Sequence, residues 1–304
     1  MNRTPLPNPV RPAASASGRT GDTGRTGHTG RTGRIVLAVV AVVVGLAFLL
    51  PVLWLIASTF RGATETFANS SSLNWHMLWP EHWTFHNIRS AVDNGFLRNL
   101  SNSVIVAAVT VVLGIVISAM AAFALAVVDF PGRKFVFGMV VLSFLVPFEA
   151  IAIPLAHTFS DWDLTNSIPA LVLPGLGNGL AIFTLRQFFL GIPSELAEAA
   201  RVDGAGWPRI FLKIYLPLTR PALIGTGLIL FLFQWQAYLW PILVTTSDGK
   251  DLAPVAIAKT FNAFSTDYGR VFAETAVLAV IPAVILLGLQ RYFVASVATT
   301  GSKN

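Results

Sequence analysis

The apolar run from Ile35 to Phe60 contains no charged residue, and this feature constrains the fold more than any other. A transmembrane helix needs about 20 predominantly apolar residues to cross a hydrocarbon core about 30 Å thick. The rest of the chain has a similar character, since 54% of all residues are hydrophobic and only 12% are charged. The sequence therefore predicts a membrane protein and not a soluble domain.

Six stretches of the chain are long and apolar enough to cross a bilayer, so we expect an all-α, polytopic membrane protein with six transmembrane helices. The third stretch is interrupted by one acidic residue, Glu149. The predicted spans are Ile35 to Phe60, Asn99 to Val128, Phe135 to Ser160, Leu164 to Leu185, Pro221 to Thr246 and Val271 to Gln290.

The positions of Lys and Arg predict the orientation. If the amino terminus is cytoplasmic, fifteen of the 21 basic residues fall in cytoplasmic segments and six fall outside. The positive-inside rule favours this topology, with both termini in the cytoplasm of a multi-pass cell-membrane protein. The same bias explains the net charge of +6 through contact with anionic membrane lipid, so nucleic acid is not expected as a partner.

Residues 1–34 precede the first predicted span and contain a Thr-Gly repeat with six Arg. The repeat has too few triplets and no proline for a collagen helix, and its composition is typical of a disordered basic cytoplasmic tail. The apolar run that follows is longer than the core of a cleaved signal peptide, so we expect the first span to remain as an anchor. Residues 35–304 then form the membrane domain.

The first predicted outer loop contains two histidines at helical spacing, His82 and His86. This spacing occurs in metal sites, but no third ligand is clearly placed beside them, and we predict no metal site in this chain. Trp75, Trp79 and Trp83 are instead typical of aromatic residues that anchor a loop at the lipid headgroups.

Catalytic motifs do not occur in the sequence. Its single Gly-Lys pair, Gly249-Lys250, is followed by Asp251 and does not form a phosphate-binding loop, and neither HExxH nor GxSxG is found. The chain has no cysteine, so a thiolate site is excluded. We therefore predict no catalytic residue and no bound cofactor here, which leaves a pore, an ion-driven carrier or a subunit of a larger machine.

Glu149 is the one ionisable residue deep within a predicted span, between Pro147 and Pro154. Charged groups at this depth often mark a solute or ion path, and the prolines would free backbone groups to line a cavity with it. A carboxyl held by a hydrogen bond to a neighbouring helix explains the residue equally well.

The predicted cytoplasmic loop 186–220 interrupts the apolar pattern with charges, glycines and prolines. Pro193 and Ser194 are typical of a helix start, and Gly204 with Gly206 is typical of its end. On this short helix we expect small and apolar residues to form one face and charged residues to lie on the other side. The first face comprises Leu196, Ala199 and Ala200, and the second comprises Glu198 and Arg201.

A second helix is expected from Pro208 to just before Pro217, because a residue that precedes proline avoids the helical region. Its stripe of Trp207, Phe211, Ile214 and Leu218 predicts packing on the membrane helices. The loop is then either an amphipathic connector with a Glu198–Arg201 pair or a docking surface. Such a pair stabilises a helix by only about 0.2–0.5 kcal/mol, so we favour the docking surface.

The same loop resembles the cytoplasmic signature of permease subunits in binding-protein-dependent importers of the ATP-binding-cassette (ABC) superfamily. That signature reads Glu-Ala-Ala, three residues, Gly, nine residues, Ile-x-Leu-Pro. The matching residues are Glu198, Ala199, Ala200, Gly204, Ile214, Leu216 and Pro217, and Asp203-Gly204-Ala205 matches its extended form.

The resemblance covers nearly all of residues 35–304 and is strongest to the maltose-permease-like carbohydrate group. Similar blocks are "NSVIVA", "AAFALAVVDFPGRKFVF" and "LQRYFV". It implies the type I ABC importer permease fold, with a coupling helix at about residues 194–203 that inserts into an ATPase subunit. The implied ATPase interface comprises Glu195, Leu196, Glu198, Ala199, Ala200, Arg201, Asp203, Gly204 and Ala205.

The resemblance also implies the partners and the energy source. A second permease subunit would complete a heterodimeric pore, two ATPase subunits would bind ATP and Mg²⁺, and an extracytoplasmic binding protein would deliver the sugar. In the fifth span the group commonly has Trp-Asn followed by an acidic residue, where this chain has Trp235, Gln236 and Ala237. The candidate substrate path comprises Glu149, Gln234, Trp235, Gln236 and Tyr238, although Trp and Tyr within spans are also common packing residues.

Two other classes of function remain compatible with the residues alone. An ion-gradient-driven secondary carrier would transport without an ATPase, and Glu149 is its only support in the sequence. A membrane scaffold protein would use loop 186–220 for binding and would move no solute. Sugar uptake into vesicles, measured with and without ATP and the ATPase, separates all three classes.

Overall fold

The computed structural model describes residues 29–62, 65, 76, 78–246, 249–261 and 266–301, and their side chains from residue 33 to residue 290. Helices form the regular structure of these residues, and no strand occurs among them. The predicted all-α fold is therefore confirmed. The first helix begins at Thr29, before the predicted tail boundary at residue 34, and residues 1–28 of the predicted tail lie outside the described part.

The described helices are numbered here in chain order. They are α1 (Thr29–Thr59), α2 (His86–Asp93), α3 (Phe96–Val127), α4 (Arg133–Leu145), α5 (Phe148–Asp161), α6 (Ile168–Leu176), α7 (Gly179–Leu190), α8 (Ser194–Val202), α9 (Trp207–Leu218), α10 (Arg220–Trp235), α11 (Leu239–Val244), α12 (Ala253–Thr260) and α13 (Tyr268–Gly301).

Contacts divide the chain into two units within α1. The first unit ends at Val52, and its described part is the portion of α1 from Thr29 to Val52. The second unit, from Leu53 onward, contains the other helices and the buried core. Within it, Asn87 donates hydrogen bonds to the backbone carbonyls of Thr59 (2.9 Å) and Arg61 (2.7 Å), which fixes the chain at the end of α1 against α2.

Three helices are long and apolar enough to span a bilayer, namely Gly33–Thr59 of α1, all of α3, and Tyr268–Gln290 of α13. Three further pairs of helices pass the same test if each bent pair counts as one span: α4 with α5 (96°), α6 with α7 (42°) and α9 with α10 (83°). The described part thus contains three continuous spans, and six when the bent pairs are included. Apolar side chains such as Phe135 and Val284 remain more than 60% exposed in the single chain, as expected of surfaces that face lipid or another subunit.

The third, fourth and fifth spans were predicted as continuous helices, and this was wrong because each is divided into two helices. The third breaks between Leu145 and Phe148, because Pro147 takes an extended conformation (φ −61°, ψ 131°). The fourth breaks at Gly177–Asn178, where Asn178 caps α7 by accepting a hydrogen bond from Ala181 N–H. The fifth, predicted from Pro221 to Thr246, ends as a helix at Trp235 and resumes as the short α11.

The predicted helix end before Pro217 was also wrong, since α9 continues to Leu218. Residues Phe211–Tyr215 form a π-helical turn, in which Leu216 N–H bonds the Phe211 carbonyl. The wider turn changes the register, so Ile210 and Tyr215 are buried while Leu218, predicted to be on the packed stripe, is 56% exposed.

In the loop after α1, Trp79 and Trp83 are half-exposed and in edge-to-face contact, with ring centroids 5.2 Å apart. Trp75 lies outside the described residues. Helix α2 begins at His86, so His82 precedes the helix and the two histidines do not share a helical face. Among the described residues, no group of three or more His, Asp or Glu side chains could hold a metal ion.

Candidate functional site

Helix α8 has nine residues and is terminated by a glycine in the left-handed conformation. Gly204 adopts φ +79°, its N–H donates to the Arg201 carbonyl (3.0 Å), and Ala205 N–H donates to the Ala200 carbonyl (2.9 Å). These bonds form a Schellman motif, which requires a left-handed residue at the glycine position. The predicted bounds of this helix are therefore confirmed, and Gly204 is required by the backbone conformation.

Most of the α8 surface is exposed to solvent. Ala197 is the buried residue of the helix, at 6% exposure, and fixes it to the core. The opposite side, called here the α8 face, comprises Glu195, Leu196, Glu198, Ala199 and Val202. Val202 is 89% exposed, which is unusual for a branched apolar side chain, and it was not among the predicted interface residues. Its spacing of four from Glu198 and three from Ala199 could have identified it.

The other predicted interface residues have different positions. Ala200 and Ala205 are partly buried against the core, so they support α8 from below instead of lying on the α8 face. The Arg201 guanidinium lies over the Trp207 ring, 4.4 Å from its centroid. Arg201 is therefore engaged in a cation–π contact, and a Glu198–Arg201 ion pair does not occur in the described part of the chain.

The α8 face carries unneutralised negative charge. Glu195, Glu198 and the neighbouring Asp203 are exposed, and none of them belongs to an ion pair of the described residues. Glu195 in the first turn and Arg201 in the last turn both complement the helix dipole. The face thus presents carboxylates without an ion-pair partner among the described residues, beside exposed apolar side chains that a binding partner could cover.

Beneath α8 lies a group of aromatic rings, called here the Phe123 cluster. Phe123 of α3 is 6% exposed and contacts four rings, at centroid distances of 5.1 to 6.3 Å. The partner rings are Phe189 of α7 and Trp207, Phe211 and Tyr215 of α9. Because Ala197 and Ala200 pack on the same core, the cluster connects α8 to three of the helices that form the membrane domain.

Glu149 lies at the break between α4 and α5, in the first turn of α5. It is exposed in the single chain, and the positive end of the α5 dipole favours its negative charge. Its neighbour Phe148 contacts the Trp240 ring of α11, with centroids 5.8 Å apart. Trp240 donates its indole N–H to the Ala170 carbonyl of α6 (2.8 Å), so the start of α5 is joined to α11 and α6.

Gln236 and Tyr238 lie at the second break, between α10 and α11. Both are exposed, and Tyr238 directly precedes the helix that carries Trp240. The structure therefore brings the break that contains Glu149 and the break that contains Gln236 and Tyr238 to neighbouring positions, linked through the Phe148–Trp240 contact. Hydropathy alone could not show this proximity.

The two remaining path candidates are packed between helices. Trp235 is 5% exposed and stacks on Phe231, with centroids 5.3 Å apart. Gln234 lies close to α6, since its side-chain oxygen is 3.1 Å from the position that a Cβ on Gly175 would occupy. The exposed members of the candidate path are thus Glu149, Gln236 and Tyr238, whereas Trp235 is buried in this structure.

Comparison with known proteins gives closely related permeases. The arabinooligosaccharides transport system permease protein AraQ of Halalkalibacterium halodurans is 35% identical over 268 residues, which cover 86% of this chain and 95% of the relative. The diacetylchitobiose uptake system permease protein NgcG of Streptomyces coelicolor is 30% identical, with 82% of each chain covered. The sn-glycerol-3-phosphate transport system permease protein UgpE of Brucella abortus is 36% identical, covering 71% of this chain and 77% of the relative.

A solved structure has the same fold. It is a bacterial ABC transporter involved in the import of the acidic polysaccharide alginate, and one of its chains matches with a TM-score of 0.75 at 21% identity. The match covers 89% of this chain and 100% of that chain, so the predicted importer permease fold is confirmed.

The family assignment follows from the sequence as a whole and agrees with this fold. The family described as "Binding-protein-dependent transport system inner membrane component" matches residues 114–299. This range contains α8, the break between α4 and α5, and the break between α10 and α11. With this match and the identity to the permeases above, the chain belongs to the family of inner membrane components of binding-protein-dependent transport systems.

Proposed function

We propose that this chain is the permease subunit of an ABC importer that carries a sugar or sugar derivative across the cytoplasmic membrane. ATP hydrolysis in a separate ATPase subunit supplies the energy, and ATP and Mg²⁺ bind to that partner. The substrate class rests on the relatives, two of which are named for oligosaccharide uptake. This chain then performs no catalysis itself.

The observation that carries the proposal is the α8 face on top of the Phe123 cluster. A helix face with Val202 at 89% exposure, and with carboxylates that are unpaired within the described part of the chain, suits a protein partner whose apolar and basic groups complement it. Because the helix is attached through buried aromatic packing, a force applied to it moves α3, α7 and α9 together. The basic partner surface expected for this face belongs to the ATPase.

The helix breaks supply the places where such a movement can change the membrane domain. The α4–α5 pair bends by 96° at the break that contains Glu149, and the chain breaks again between α10 and α11, where Gln236 and Tyr238 lie. Non-helical backbone within a membrane is tolerated where it lines a cavity, and exposed polar groups at such points mark a solute path. We assign Glu149, Gln236 and Tyr238 to the wall of this path, with Gln234 and the buried Trp235 behind them.

The assembly expected around this chain follows from the family. A second permease subunit completes the pore, two ATPase subunits bind from the cytoplasm, and an extracytoplasmic solute-binding protein delivers the substrate. The topology with both termini in the cytoplasm places α8 on the ATPase side. In that orientation α2 and α12 lie on the side of the binding protein.

Charge reversal on the α8 face tests the proposal. Glu198→Lys should reduce ATP-dependent sugar uptake into vesicles by at least about tenfold, which corresponds to about 1.4 kcal/mol of lost interface stability. The matched control is Asp161→Lys, which reverses an exposed charge at the end of α5. Normal uptake by a correctly inserted Glu198→Lys complex would contradict the docking role of α8.

A further inference from the structure

A polar cavity lies apart from the α8 face and from the candidate path. Its volume is about 330 Å³, near the lower end of the range for small-molecule sites. Its walls come from the start of α3, from α12 with the loop before it, and from the start of α13. The polar lining residues are Asn99, Asp251, Lys259, Thr260, Asp267 and Arg270.

Two cations of this cavity are held in place by buried carboxylates. The Lys259 ammonium donates to both oxygens of Asp251, at 2.7 and 2.9 Å, and Asp251 is 8% exposed. The Arg270 Nε donates to Glu274 at 2.7 Å, and Glu274 is fully buried and also accepts from the Thr260 hydroxyl (3.2 Å). Such support fixes the positions of Lys259 and Arg270, as binding sites require.

Several hydrogen-bond donors of the cavity are not used within the described part of the chain. The terminal Nη groups of Arg270 make no hydrogen bond there, although the side chain is 23% exposed. The side-chain amide of Asn99 makes none either. A guanidinium and an amide offer donors in fixed planes, which suit ligands that carry several hydroxyl groups.

The charges of the cavity favour a neutral ligand. Lys259 and Arg270 are matched by Asp251 and Asp267 in the lining, and Glu274 adds a further negative charge behind Arg270. The two lining carboxylates offset the attraction of the two lining cations for an anion, so the cavity has little net preference for one. A neutral molecule rich in hydroxyls encounters both donors and acceptors there.

An aromatic pair adjoins the polar lining. Phe261 follows Thr260 and is 50% exposed, and Tyr268 follows Asp267 and is 40% exposed. Their rings meet edge to face, with centroids 6.2 Å apart. Exposed aromatic surface beside polar groups that form hydrogen bonds is the combination that binds the apolar face and the hydroxyls of a sugar ring.

We propose that this cavity between α3, α12 and α13 is a binding subsite for one unit of a neutral sugar, on the side of the membrane where the solute-binding protein releases it. The inference rests on the proposed function, because it requires sugar import and the topology given above. It adds a ligand site that is separate from the path through the helix breaks.

Protection of a single cysteine tests the subsite. The chain has no native cysteine, so Ala256→Cys places one thiol in the cavity wall. The assembled transporter, without its binding protein, is labelled with a membrane-impermeant maleimide in the presence of arabino-oligosaccharide, diacetylchitobiose or sn-glycerol 3-phosphate. We expect a transported neutral sugar to slow labelling at least about threefold, and glycerol phosphate to leave the rate unchanged.

A second variant tests the contacts. Asn99→Ala, made in the Ala256→Cys background, should raise the sugar concentration that gives half-protection by about three- to tenfold, as expected for one lost hydrogen bond. The matched control is Asn94→Ala on the same side, since Asn94 bonds only the Ser90 carbonyl of its own helix. An equal shift in both variants would contradict the assignment of Asn99.

Uptake of each sugar into vesicles, measured in parallel, separates the two proposals. Uptake of a neutral sugar without protection of Ala256→Cys would overturn the subsite and leave the proposed function standing. Protection by glycerol phosphate alone would also overturn it. If no neutral sugar is taken up with ATP and the ATPase present, the sugar assignment fails and the subsite fails with it.

Discussion

Helices α8 and α12 are both short connections between longer helices, yet only α12 adds a network of polar contacts to its apolar packing among the described residues. Helix α8 rests on aromatic packing through Ala197, and its carboxylates have no partner among the described residues. Helix α12 packs through the buried Ala253 and adds polar contacts: Lys259 pairs with Asp251, Thr260 bonds Glu274, and Ala253 N–H donates to Ser103 Oγ (2.8 Å).

The difference suits the two proposed tasks. Close apolar packing transmits movement, so α8 and the helices beneath it can move together with a partner while the outer face of α8 stays available. Buried polar networks require specific distances and leave costly unpaired groups when disturbed, so α12 keeps one position relative to α3 and α13. A surface that receives force and a surface that presents a binding cavity are therefore stabilised by different interactions.

The largest effect is expected at the centre of the α8 support. Phe123→Ala removes contacts to four rings and should destabilise the protein by about 3–5 kcal/mol, through lost burial and a remaining cavity. Thermal unfolding of the purified complex measures this change. The matched control is Phe135→Ala, because Phe135 is 72% exposed. Equal destabilisation by both variants would show that the Phe123 cluster has no special role.

A smaller effect is expected in the network that holds α12. Glu274→Gln keeps the size of the side chain but loses a charged partner of Arg270, which should cost about 1.5–3 kcal/mol. The same substitution on α8, Glu198→Gln, should leave the unfolding midpoint unchanged because Glu198 has no ion pair in the described part. If Glu198→Gln were the more destabilising of the two, the contrast between the helices would be wrong.

The smallest effect is expected at the end of α8. Gly204 has φ +79°, and an added Cβ would meet no atom within 4 Å, so Gly204→Ala introduces backbone strain without a clash. We expect a cost of about 1 kcal/mol and partial loss of uptake, since the Schellman motif positions the α8 face. Gly206→Ala is the control, because Gly206 has φ −74°. Circular dichroism and uptake assays on both variants measure the difference.

The sequence predicted α8 well because its signals are local. Pro193 sets the start of the helix and Gly204 sets its end through their own backbone preferences, and no distant contact overrides them. Its exposed face was predicted less well: Ala200 is partly buried and Val202 was missed, since the side of the helix that meets the core depends on the Phe123 cluster.

The breaks within the third and fifth predicted spans could not be predicted from hydropathy. An apolar run such as Phe135 to Ser160 measures the preference of its residues for lipid, and this preference is unchanged when the helix bends at Pro147. Pro217 was misleading in the other direction, because the π turn at Phe211–Tyr215 lets the helix pass it. The meeting of Phe148 with Trp240 depends on tertiary packing, which one sequence does not specify.

The most direct test of the central proposal is photocrosslinking from the α8 face. Val202→Cys, labelled with a benzophenone maleimide in the assembled transporter, should form an adduct with the ATPase subunit, because Val202 is 89% exposed at the proposed contact. Val92→Cys is the matched control, since Val92 is a 44% exposed valine on α2, on the proposed opposite side of the membrane. We expect an ATPase adduct from position 202 and none from position 92. An adduct from position 92 alone, or labelling of position 202 from outside the cell, would contradict the docking of the ATPase on α8.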